Sequence, residues 1–372
     1  MLLKHYRVEK VVRQSSIDTI MKNVSFIVQF FALLTNAVVS AQSNSAATNC
    51  AQKTSIAQQA QATADCAKAN LQLDRRSEAW TVDALSYLQR ALSHLKNGDR
   101  AAAMGELNEA IKLNSQIAEA YFTRGSIYAE DKDYDRALQD FDQAISLNPV
   151  LTEAFHQRAL AHRGKLEFPQ ALKDLNTAIG MEPFNPRLLR DRGEAHLALG
   201  DYDRAVDDYQ AAMSIDRSSI DPYSMANLLF FQGRFSQSAQ TMQQVLKIKP
   251  ENPYAMLWRY LAFAKANGVA AAARELADHS TRSNDKRWPT AAIDYYLGKI
   301  DEGALRGAAQ SSEALKNSEQ ICQANFFAGE AKLLKGVHEE AIGLLRAAQS
   351  QCRPDSTFFH GASAELKRLG AL

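Results

Sequence analysis

No charge of one sign dominates this chain. Lys and Arg number 43 and Asp and Glu 42 in 372 residues, so the long basic face that neutralises nucleic-acid phosphates has no compositional support. Proline (9) and glycine (17) are too sparse for a collagen-like or low-complexity chain, and aromatics at 8% are scattered. Catalytic signatures are also missing. There is no HExxH, no GxSxG, no Walker loop and no CxxC, so neither a zinc hydrolase, a serine hydrolase, a nucleotidase nor a thiol oxidoreductase is written in the sequence. The eight histidines are dispersed. His162 and His196 lie 34 apart at one register position, which suits polar packing rather than metal ligation, and His156 and His162 fall on different faces of a helix. No metal site, cofactor site or catalytic group is expected.

Long apolar runs are rare, with one exception. Met21-Lys22-Asn23 precedes VSFIVQFFALLTNAVV and then Ser40-Ala41. A short basic start, an apolar stretch and small residues make a secretory signal over 1–41, with Met21 as a candidate true start. The stretch is shorter than the roughly 20 apolar residues of a membrane span. Export predicts a periplasmic or secreted protein, and Cys50 lacks the context of a lipid-anchored cysteine. Without 1–41 the chain keeps 38 basic and 40 acidic side chains (43 − 5 and 42 − 2). All four cysteines lie beyond this segment, which favours disulfides. Residues 42–80, rich in Ala, Gln, Ser and Thr, predict a leader passing into short helices.

What the chain does have is a cadence. DYDRA occurs at 133–137 and at 201–205, 68 residues apart, twice 34. A third, diverged copy lies between them: AYFTRGSIYAEDKDYDRALQDFDQAISLNP, AFHQRALAHRGKLEFPQALKDLNTAIGMEP and RLLRDRGEAHLALGDYDRAVDDYQAAMSIDR align at that step. Gly125, Ala159 and Gly193 keep one helix slim, and Ala137, Ala171 and Ala205 do the same on its partner. Phe141, Leu175 and Tyr209 fill the space between. Pro149 and Pro183 stop the second helix. A fixed period near 34 marks a solenoid of helical hairpins.

This pattern resembles the tetratricopeptide repeat (TPR) family. The resemblance implies an all-α, TPR-type α-α superhelix with an array over 81–252, an atypical helical segment over 253–321, and a last hairpin with a closing helix over 322–372. Arg217 replaces an expected proline, and the family's signature Trp is absent from every copy. NPYAMLWRYLA, WPTAAIDYYLGKID and the final ASAELKRLG narrow the likeness to the NlpI-like periplasmic adaptors. That implies a non-catalytic, protein-binding role in envelope proteolysis or peptidoglycan remodelling, without cofactors and with a homodimer as an option.

The register then places side chains. Arg124, Arg158 and Arg192 recur at one position, and Asp140, Asp174 and Asp208 sixteen residues later, which predicts a ladder of ion pairs. Cys322 opens the first helix of the last hairpin and Cys352 ends its second, so antiparallel packing makes them a disulfide. Cys50 and Cys66 remain for each other, and need a turn between them because a continuous helix would hold them about 24 Å apart. A concave groove is expected to carry Phe122, Ser126, His156, Arg163, Arg190, Glu194, Tyr223, Asn227 and Phe230, a mixture suited to a peptide. Two other classes stay open: an enzyme with its site in 252–321 around Trp288, Asp294 and Tyr295, and a self-associating structural protein.

Overall fold

The structure is a computed structural model that describes residues 82–280 and 288–372. Helices occupy 82–96 (α1), Arg100–Leu113 (α2), Ala118–Glu130 (α3), Tyr134–Leu147 (α4), Thr152–Gly164 (α5) and Phe168–Met181 (α6). They continue with Pro186–Ala198 (α7), Tyr202–Ile215 (α8), Pro222–Phe231 (α9), Phe235–Ile248 (α10), Pro253–Asn267 (α11) and Val269–Ser280 (α12). Thr290–Tyr296 (α13), Glu302–Ala308 (α14), Ala314–Leu334 (α15), His338–Gln351 (α16) and Thr357–Arg368 (α17) complete the chain. No strand occurs among the described residues. The signal segment, the leader and the Cys50–Cys66 pairing lie outside them. The chain divides into two compact units, one reaching to Ala161 and one running from His162 to Leu372.

The repeated pentapeptide starts a helix. Asp133 and Asp201 are N-caps of α4 and α8, where their carboxylates accept from the backbone N–H of Arg136 and Arg204. The same side chains pair with the arginines they cap, so one carboxylate satisfies an orphan donor and a guanidinium together. Each hairpin turn needs one residue in the left-handed region. It falls at Gly98, Lys132, Leu166, Gly200 and Gly233, nearly one repeat apart, and only two of these five are not glycine. Helix α8 ends at Ile215 in register with α4 and α6 although Arg217 stands where they have proline. Asp216 takes over there, accepting from the Ser218 backbone and hydroxyl.

Close approach of paired helices explains the small residues. A Cβ on Gly193 would lie 2.6 Å from the Tyr209 ring, and one on Gly125 3.0 Å from Phe141. Ala137, Ala144, Ala205 and Ala212 are fully buried on the partner helices. In the first unit these contacts build two apolar clusters, one around Leu88, Leu92 and Leu107 and one around Phe122 and Phe141.

The second unit holds a single larger core centred on Trp258, whose ring lies 5.1 Å from Phe230, 5.2 Å from Phe326 and 5.7 Å from Phe358. The final helix α17 closes this core. It packs on α9, α15 and α16, buries Phe358, Ala362 and Leu366, and ties down by polar bonds to distant backbone. Arg368 donates to the carbonyl of Phe231 at 2.8 Å, and the Tyr202 hydroxyl to that of His360 at 3.2 Å. Cys322 and Cys352 are joined by a disulfide with Cα atoms 5.2 Å apart, clamping α15 to the end of α16. The span 253–321 is less irregular than its sequence suggests, because α11 and α12 form one more hairpin before the short α13 and α14.

Two glycine substitutions separate packing from propensity. Gly193→Ala forces the Tyr209 ring aside and is expected to cost about 1–3 kcal/mol of stability. Gly105→Ala, in the interior of α2 with open space around it, is expected to gain about 0.5–1 kcal/mol. Urea unfolding midpoints moving in opposite directions are the expected result.

Candidate protein-interaction surface

Arginine on the first helix of several hairpins organises the inner structure. Arg124 donates from Nε and a terminal nitrogen to both Asp140 oxygens, each at 2.8 Å. Arg192 does the same to Asp208 at 2.9 and 2.6 Å. Both aspartates are buried, and the bidentate bond holds each guanidinium's pKa further up. The other terminal nitrogen reaches back sixteen residues to the preceding hairpin, Arg124 to Asn108 and Arg192 to Asn176, both at 2.9 Å. Arg158 reaches back to Asp142 in the same way at 2.7 Å. Its sequence partner Asp174 is buried and belongs to the other unit. The spacing of sixteen also joins Arg90 to Glu106 and Arg259 to Glu275, the latter bidentate at 2.7 and 3.0 Å. Asn108, Asp142 and Asn176 were legible as a third residue series at the 34-residue step; sequence reasoning missed them.

His162 and His196 face the acid that opens the second helix of their own hairpin. His162 Nδ1 lies 2.7 Å from Glu167, and His196 Nδ1 3.9 Å from Asp201. Desolvation holds His196 below its usual pKa. Among the described residues no group of His, Cys, Asp and Glu could hold a metal ion.

The residues expected to line a groove part into two sets. Phe122, His156, Asn227 and Phe230 are buried and are corrected to packing residues. Phe122 lies 6.0 Å from Phe141 in the first unit's core. His156 sits in the same unit with Nδ1 3.6 Å from Glu153. Asn227 and Phe230 stand on α9, which is apolar nearly all round and therefore covered. Phe230 is covered by Trp258, by Phe235 and by the guanidinium of Arg368 from α17. Tyr223, on the same helix, is only partly buried, and desolvation raises its hydroxyl well above the ordinary value. Ser126 is partly exposed and returns its hydroxyl to the Phe122 carbonyl at 2.9 Å.

The other set is charged and open. In the second unit Arg163, at the end of α5, pairs with Glu194 on α7 and lies 4.0 Å from Asp191. Arg190, one turn before Glu194, donates to the buried Asp191 at 3.1 Å. Glu194 keeps 39% of its side-chain surface, yet desolvation by surrounding protein raises its pKa. The Tyr209 hydroxyl is raised by burial and by the nearby charges of Glu194 and Asp191. The site therefore offers two arginines and an accessible carboxylate, held by a buried one.

In the described part of 253–321 several aromatic side chains are engaged in packing and hydrogen bonds. Trp288 Nε1 and the Tyr254 hydroxyl both donate to Gln323 Oε1, at 2.6 and 2.9 Å, and the Tyr296 hydroxyl donates to the Phe327 carbonyl at 2.8 Å. Asp294 pairs with Lys299 at the surface at 3.0 Å, and the Tyr295 ring lies 5.8 Å from that of Tyr296, tilted by 47°.

These features define a helical-hairpin repeat protein. A tetratricopeptide repeat model matches residues 88–150 and 156–220, and a second tetratricopeptide repeat model matches 196–257. Residues 88–257 are thus tetratricopeptide repeats. The chain is similar to a tetratricopeptide repeat protein from Parabacteroides merdae, at 16% identity over 76% of this chain and 99% of that one, with a TM-score of 0.46. It is similar also to MamA from Desulfovibrio magneticus, at 18% identity over 46% and 97%, TM-score 0.42. The first TPR of Spaghetti (RPAP3), solved with an HSP90 peptide SRMEEVD, shares 22% identity over 32% of this chain and 97% of its own, TM-score 0.31. Among the described residues no helix is long and apolar enough to cross a membrane.

One buried ion cluster makes stability depend on pH. Lys265 on α11 is shared between Glu330 of α15 at 3.0 Å and Glu365 of α17 at 3.1 Å, and Arg368 pairs with Glu365. Burial, with Glu365 as neighbour, raises the fully buried Glu330 to about 7. An acid raised above its unfolded value binds its proton more tightly when folded, so this group's contribution falls as pH rises from about 4.5 to 7. In Glu330→Gln that slope is gone. The difference in melting temperature between variant and wild type is expected to shift in the variant's favour from pH 5 to pH 8.

Proposed function

We propose that this chain is a non-catalytic adaptor of the cell envelope that binds a protein partner through the charged face of Arg163, Arg190 and Glu194 in the second unit, with Tyr223 as a further contact. The observation that carries this reading is the pair of partly exposed arginines, Arg163 bonded to the accessible Glu194 and Arg190 to the buried Asp191. Such a face can exchange its internal ion pairs for those of an incoming segment, with Arg supplying planar bidentate donors. Tetratricopeptide repeats provide rigid helices on which those side chains are displayed at fixed spacing. The buried disulfide suits an oxidising compartment, in agreement with the export signal read at 1–41 and with a periplasmic location. The sequence resemblance to NlpI-like adaptors makes envelope proteolysis or peptidoglycan remodelling the process served.

The test is capture from an envelope extract with the purified chain as bait. Arg163→Gln and Arg190→Gln remove a cation without adding a like charge beside Asp191. Both variants are expected to retain wild-type helicity and to lose at least tenfold in recovery of the same set of proteins. Equal recovery by wild type and both variants would remove this face from the account.

A further inference from the structure

Two arginines of the second unit leave part of their donor set unengaged. On α7, Arg192 uses Nε and both terminal nitrogens, on Asp208 and Asn176, and keeps 24% of its side-chain surface. Arg190, two residues earlier, uses only Nε and one terminal nitrogen. Both go to a single oxygen of Asp191, at 3.2 and 3.1 Å, and 36% of the side chain stays open. Arg163 uses one terminal nitrogen, on Glu194, and keeps 35%. Nη1 of Arg190, with Nε and Nη2 of Arg163, has no partner among the described residues.

The acceptor side is incomplete as well. Glu194 binds Arg163 through Oε2, and its Oε1 takes no bond from any described residue. Desolvation raises this carboxyl above its usual range, so its charge gains from a further cation. Asp191, by contrast, is buried, and both guanidiniums border one of its oxygens, Arg190 at 3.1 Å and Arg163 at 4.0 Å. Two cations thus already converge on one carboxylate oxygen, with donors left for a second carboxylate. Two arginines and two carboxylates cancel in net charge, which disfavours a ligand of one sign. An acid alone would also meet Glu194 and Asp191, a base alone would also meet the arginines, and like charges brought together cost affinity. Arg190 and Glu194 stand one turn apart on α7, about 6 Å along its axis. A helical ligand spans that distance with residues four apart, an extended one with residues two apart on one face.

We infer that the bound segment carries an Asp or Glu and a Lys or Arg about 6 Å apart, the acid shared by Arg163 and Arg190 and the base seated on Glu194. This rests on the charged face being the binding face, and adds the chemistry of what that face holds. The acid completes the planar forks of the arginines. The base completes Glu194 on the oxygen that Arg163 leaves free.

Fluorescence anisotropy on the full chain with short labelled peptides provides the test. Two mixed peptides carry Glu and Lys, one pair two residues apart in a Gly/Ser background and one pair four apart in an Ala background. Their controls carry Glu at both positions or Lys at both positions. At least one mixed peptide is expected to bind tenfold or more tightly than its two controls. Arg163→Gln, Arg190→Gln and Glu194→Gln are each expected to weaken it at least tenfold while helicity stays at the wild-type level. Glu194→Gln is the decisive variant. If an acid alone were the ligand, this change would remove a repelling carboxylate and free Arg163, and the Glu peptide would bind more tightly. Glu-only peptides that bind as well as the mixed ones, tighter binding by Glu194→Gln, or no binding of either mixed peptide would each overturn the inference. Capture from envelope extract judges the face separately. Recovery lost in Arg163→Gln and Arg190→Gln alongside any of those results keeps the face and removes only the two-sign ligand.

Discussion

The arginine–carboxylate clasp with a spacing of sixteen residues is the interaction on which the repeat depends. An arginine on a first helix binds a carboxylate on the second helix of its own hairpin, and with its remaining nitrogen a polar side chain of the hairpin before. One guanidinium thus fixes both the pairing within a hairpin and the step to its neighbour. Removing one partner would leave a buried charge without compensation, which typically costs about 3–5 kcal/mol. The net stability supplied by the intact pair is smaller, because both groups are taken out of water. Its larger effect is on register: helices that could slide along apolar stripes of alanine are held by a planar fork that accepts one alignment.

The clasp also explains where the architecture changes character. On α9 and α10, where the repeat is one residue short, the two positions are Met225 and Thr241, and no ion pair is possible. In its place Ser238 donates to the Ala226 carbonyl at 2.7 Å, a neutral bond across the same hairpin. From here the core becomes aromatic and α17 returns to cover α9. The charged pair reappears in α11 and α12 as Arg259 and Glu275, so the interruption is local. Around the closing helix the ionic groups regroup as Lys265, Glu330, Glu365 and Arg368, linking three helices that are distant in sequence.

Much of this was legible from residue spacing. The hairpins from 118 to 217, the small residues at their close approach, two of the arginine–aspartate pairs and the Cys322–Cys352 bond all follow from a period read along one dimension. Contacts between residues that share no period do not. Arg368 reaches Phe231 across 137 residues, and nothing in a 34-residue step announces it. The signal that was available is PYSMANLLFF itself, apolar on every face, since a helix without a polar side cannot border an open groove. Phe122 and His156 were misplaced for a related reason: register positions facing inward on an ideal superhelix are buried wherever neighbouring helices pack tightly. Arg163, Arg190 and Glu194 keep part of their side-chain surface in solvent, although Asp191 between them is buried.

If the charged face is the binding face proposed above, burial of one set and exposure of the other limit what kind of partner it can hold. Phe230 and Asn227 are buried, Phe230 beneath Arg368 of α17, so neither is open to a ligand. What remains is polar, with arginines whose internal partners are themselves carboxylates. Such a face pays little for being empty, because its charges are already satisfied. It therefore gains affinity only from a ligand that matches both signs. Selectivity then arises from the cost of breaking Arg163–Glu194 for a segment that does not replace both halves of the pair. A mismatched ligand would leave Glu194 unpaired in surroundings that already disfavour its charge.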